Sequence, residues 1–70
     1  MNAVANIDAA LDGVFRKYLG PMALIILPEL KRRPLTKGNV IGFINSLQIE
    51  GIISTDTAAA FVVEVDELFG

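Results

Sequence analysis

The chain has 70 residues, of which 53% are hydrophobic, and a formal net charge of −2 at pH 7. That length makes one domain, residues 1–70, with about 4,200 Å² of surface left after folding, so several large apolar side chains stay outside the core unless a partner covers them. With neither cysteine nor histidine, the sequence lacks disulfides, thiolate or imidazole zinc ligands and the commonest general base at neutral pH. No enzyme, metal or cofactor is therefore expected.

The first element is the clearest. Val4, Ile7, Leu11, Val14 and Tyr18 are spaced alternately three and four apart, with Phe15 and Leu19 widening the stripe, which is the period of a helix and not of a strand. Asn2 or Asn6 caps it, Asp8 suits the positive end of its dipole, and Arg16 and Lys17 suit the negative end. Asp12 and Arg16 stand one turn apart, in reach of an ion pair.

Gly20 and Pro21 end this helix and open a second, because glycine closes a helix in the left-handed region and proline holds the φ of a first helical residue. The second helix is expected to start at Pro21 and to run through Met22, Ala23, Leu24, Ile25, Ile26 and Leu27. These six residues are the longest apolar run, far short of the ~20 that a membrane span requires. Pro28 offers no N–H to the Leu24 carbonyl, so a kink or a break is expected near Leu27. Lys31, Arg32 and Arg33 suit the helix C-terminus, and Pro34 stops it.

Thr36 is the expected cap of a third helix with Val40, Phe43, Ile44 and Leu47 on its apolar face, Ile41 beside it and Gly51 closing it. Gly38 and Gly42 weaken that helix. Ser54 or Thr55 caps a fourth, whose inner face is Ala58, Phe61, Val62, Val65, Leu68 and Phe69. Two stretches rich in strand formers, 49–53 and 61–65, leave a short hairpin as the rival reading. The fold class expected is all-α, a compact bundle of about four short helices with the second kinked or broken at Pro28.

Charge is uneven along this chain. Lys31, Arg32, Arg33 and Lys37 cluster around Pro34, whereas the stretch after Ser54 carries Asp56, Glu64, Asp66 and Glu67 and no basic residue. The basic cluster with Thr36 and Asn39 is either a helix end and loop or a phosphate-binding patch of a small nucleic-acid-binding regulator; the overall acidity opposes the latter. The leading functional reading is a non-catalytic protein-interaction or oligomerisation module. Its contact residues are expected to be Met22, Leu24, Ile25, Ile26 and Leu27 of the second helix, with Arg32 and Arg33 beyond it. Phe61, Glu64, Asp66 and Glu67 of the fourth helix complete the set, the acidic ones forming either an exposed face that solubilises an apolar domain or a surface that docks on the basic segment of a neighbouring copy. Partners are the chain itself and another protein. The first residues lack the basic head of a secretory signal, which together with the absent cysteine gives a cytoplasmic expectation.

The segment Tyr18-Leu19-Gly20-Pro21-Met22-Ala23, between an amphipathic helix and a later helix like residues 60–69, resembles a small helical domain of unknown function appended to bacterial, notably cyanobacterial, signalling proteins. The resemblance implies an accessory, regulatory interaction role and carries over no active-site residue.

Overall fold

The computed structural model describes residues 6–70, and the expected contributions of Asn2 and Val4 to the first helix lie outside the described residues. Among those residues the regular elements are helical and no strand occurs. In chain order they are α1 (Ile7–Leu19), a 3-10 turn (Gly20–Met22), α2 (Ala23–Leu30), α3 (Lys37–Ile49) and α4 (Thr55–Phe69). The expected set of about four short helices is corrected to three long ones of 13 to 15 residues and one two-turn segment, α2, of 8. The hairpin alternative fails, because residues 61–65 lie inside α4 and their strand formers pack on a helical face.

Three of the helices, α1, α3 and α4, begin where a side chain satisfies an otherwise unpaired N–H, whereas α2 follows directly from the 3-10 turn without one. Asn6 accepts from the Ala9 N–H, Thr36 from the Asn39 N–H and Ser54 from the Thr57 N–H. Asn39 also donates its side-chain amide to the Pro34 carbonyl at 2.9 Å, fixing the entry to α3. α3 ends on Gly51 at φ +78°, with the Ile52 N–H donating to the Leu47 carbonyl and the Gly51 N–H to the Gln48 carbonyl. That pair of bonds is the Schellman closure, which requires the left-handed conformation glycine adopts cheaply.

Two expectations about the second helix are corrected. Pro21 is the middle residue of a 3-10 turn, and the α-helix starts two residues later at Ala23. Of the kink or break expected near Leu27, the break does not occur, since α2 runs through Pro28 to Leu30. Pro28 supplies no N–H to the Leu24 carbonyl, and Leu24 lies on the exposed side of the helix.

The core is one cluster drawn from all four helices. Leu11, Phe15, Ala23, Leu30, Val40, Ile44, Phe61 and Val65 are wholly enclosed or nearly so. Phe61 is its hub: Phe15 meets it edge-on at 4.7 Å between ring centres, and Tyr18 stacks on it at 4.8 Å. Burying a side chain such as Phe61 contributes roughly 1.5–3 kcal/mol before the aromatic geometry is counted. The total surface is 4273 Å², close to the size expected of a compact chain of 7.5 kDa.

The helices share their neighbours unequally. α4 packs on both α1 and α3, and α2 packs on α1, but α2 makes no comparable contact with α3. The bundle is therefore open along one edge.

Candidate interaction groove between α2 and α3

Turning 100° per residue, α2 sends Ala23, Ile26, Leu27 and Leu30 into the core, which leaves its two flanks to do different things. One flank carries Leu24 and Lys31 and faces α1, where the Lys31 ammonium sits 2.7 Å from the Asp12 carboxylate and also meets Asp8. The expected Asp12–Arg16 pair is thus replaced by a bond between helices. The two carboxylates, Asp12 first, hold the Lys31 ammonium above its ordinary pKa.

The other flank carries Ile25 and Glu29 and faces the gap towards α3. A groove of about 330 Å³ lies there. Ile26 and Leu47 are part of its floor, and Phe43, half-buried, forms a wall. Phe43, Leu47 and Glu50 fall on one stripe of α3, four and three residues apart. Ile52, brought back by the Gly51 turn, closes the far end and is 39% exposed. Ile25 stands at the lip at 75% exposure, with Met22 one turn before it at 43%.

The rim charges are Glu29, Arg33 and Glu50. Glu29 leans towards Arg32 one turn on, at 3.4 Å. The Arg33 guanidinium lies 5.6 Å from the centre of the Phe43 ring, a cation–π distance that places its charge over the groove wall. Among the described residues neither Arg33 nor Glu50 makes an ion pair, although both border the same groove.

Two further ion pairs join α4 to the rest of the chain. Glu64 receives Lys17 at 2.6 Å and the Tyr18 hydroxyl as a second donor, so its carboxyl is held below the usual range, the Lys17 bond being the larger cause. Tyr18 is raised in turn by donating to that carboxylate. Asp66 receives Lys37 at 2.8 Å. Together these bonds tie α4 to α1 and to the start of α3.

The residues expected at an interaction surface therefore divide. Met22, Leu24 and Ile25 are exposed, whereas Ile26, Leu27 and Phe61 are buried and serve the core. Arg33 lines the groove, and Arg32 is occupied with Glu29. Glu64 and Asp66, expected to dock on a neighbour's basic segment, face basic residues of their own chain, and Glu67 is left exposed. Of the basic cluster, Lys31, Arg32 and Lys37 are each matched by a carboxylate. Phe43, Ser46, Leu47, Glu50 and Ile52 join the site without having been expected there. The spacing of Phe43, Leu47 and Glu50 is a readable signal, but the path that folds Ile52 back beside them depends on the Gly51 turn.

Comparison with protein-family models, with curated proteins and with solved structures finds no match to this chain.

Proposed function

We propose that this chain is a non-catalytic protein-recognition domain, cytoplasmic and accessory to regulation or signalling, which presents the open α2–α3 edge to a partner. The observation that carries the reading is Ile25: an isoleucine 75% exposed at the lip of an apolar-floored groove, on a helix that among the described residues packs more closely on α1 than on α3. Covering such a side chain contributes roughly 1.5–3 kcal/mol, a large share for a domain this small. A regulatory role is what the resemblance around residues 18–23 implies, and the absence of cysteine suits a reducing compartment. The nucleic-acid alternative has no observation in its favour, since three of the four clustered cations face carboxylates of their own chain.

The test is photo-crosslinking in the cells that make the protein, with a photoreactive amino acid at position 25 and, as control, at Val63 on the outer face of α4, itself 57% exposed. Discrete protein adducts are expected from position 25 and not from position 63. Equal or absent labelling at the two positions would remove the groove as a recognition surface.

A further inference from the structure

We propose that the α2–α3 groove is occupied by the same groove of a second copy, in a two-fold dimer where Ile25 of each chain enters the partner's groove and Arg33 of each faces the partner's Glu50. This rests on the reading of the groove as a recognition surface and names its occupant.

A two-fold interface places one patch against itself, so every feature must find its complement on the same patch. This face meets that condition in shape. It carries a projecting side chain, Ile25, beside a hollow floored by Ile26 and Leu47. The hollow, about 330 Å³, is roughly twice the ~150 Å³ cavity that accommodates a benzene ring, which is ample for the four-carbon side chain of isoleucine.

The face also meets the condition in charge. Arg33 and Glu50 border one groove, carry opposite signs, and have no ion-pair partner within the described residues. Most other charged side chains are matched inside the chain, including Glu29 at the same rim. Two copies related by a two-fold axis exchange the unmatched pair twice, once on each side. A partner of uniform charge satisfies only one of the two residues. The outer face of α4 lacks this self-complementarity, because Glu64 and Asp66 are already bonded and Val63 stands alone there as a large exposed apolar residue.

Size sets the strength. A standard interface covers about 800 Å² per partner, close to a fifth of the 4273 Å² surface here. The groove and its rim are smaller than that, so the dimer is weak and exchanges quickly.

The experiment is sedimentation velocity on the full chain from micromolar to millimolar concentration, with far-UV circular dichroism confirming that each variant is folded. The wild-type chain is expected to pass from monomer to dimer and no further. Ile25→Glu should abolish the dimer. Arg33→Glu and Glu50→Arg each set two like-charge contacts against each other in their own homodimers, and each should weaken association at least about tenfold. Their equimolar mixture forms a heterodimer with one native and one reversed bridge, and should regain the wild-type affinity. A role in folding alone gives no recovery on mixing. A monomer at every concentration, assembly beyond a dimer, or a mixture no tighter than its components would overturn the proposal. Photo-crosslinks from position 25 to a different protein, with a monomeric wild type, would overturn the dimer while leaving the recognition reading standing.

Discussion

Glycine illustrates how one residue type does opposite work at different places in this chain. Gly13 and Gly42 lie within α1 and α3, and a Cβ built at either meets nothing within 4 Å. Alanine at each removes unfolded-state entropy and is expected to stabilise by about 0.5–1 kcal/mol in urea unfolding. Gly51, at φ +78°, is the reverse case. Gly51→Ala is expected to cost about 1–2 kcal/mol, because a Cβ in the left-handed region crowds the following carbonyl. It should also loosen the Ile52 end of the groove. Stabilisation by Gly51→Ala in the same assay would contradict the Schellman assignment. Glu64 makes a comparable point about charge. Its folded pKa is lowered by Lys17 and Tyr18, so its contribution is present above its unfolded value and is lost as pH falls through the lower, folded one. Thermal midpoints across an acid series should show Glu64→Gln less stable than wild type at neutral pH, with the gap closing only in acid below the ordinary carboxylate range, as the wild-type carboxyl also becomes neutral. A gap that persists unchanged in acid would mean the clasp owes nothing to that charge.

The elements differ in how plainly they can be read from sequence, and the reasons are physical. α1 is legible because three-and-four spacing from Ile7 to Tyr18 is a local property, as are the caps at Asn6, Thr36 and Ser54. Losing such a cap costs about 1 kcal/mol; Ser54→Ala should lower α4 stability by that amount, measured by hydrogen exchange in its first turn. Residues 61–65 are ambiguous because β-branched side chains suit a strand as well as the inner face of a helix; tertiary packing of Phe61 on Phe15 and Tyr18 decides between them. Pro28 is more misleading. A proline inside a helix removes a backbone bond and kinks or breaks it, yet α2 continues through Pro28 to Leu30, with Leu27 and Leu30 on either side of it held in the core. Of the groove lining, Ile25 and Ile26 are readable in the apolar run at 22–27 and Arg33 in the basic cluster after it. The α3 side is not, since nothing local announces that a groove lies between α2 and α3.

At the scale of the whole molecule, a core centred on Phe61 and an unclosed edge are two sides of one shortage of chain. Phe61→Ala is expected to cost about 3–5 kcal/mol, enough to unfold a domain of this size, and its loss of helical circular dichroism should be nearly complete at room temperature. The exposed rim residues Ile25 and Glu50 lie outside that core, so variants at them should keep the fold and lose only association. Association of this chain through the α2–α3 edge can be followed residue by residue in amide and methyl NMR spectra recorded from micromolar to millimolar concentration. Shifts are expected to move with concentration at Met22, Ile25, Arg33, Phe43, Glu50 and Ile52, and to stay fixed at Val63 and Leu24. Movement centred on the outer face of α4, or no movement anywhere, would contradict it.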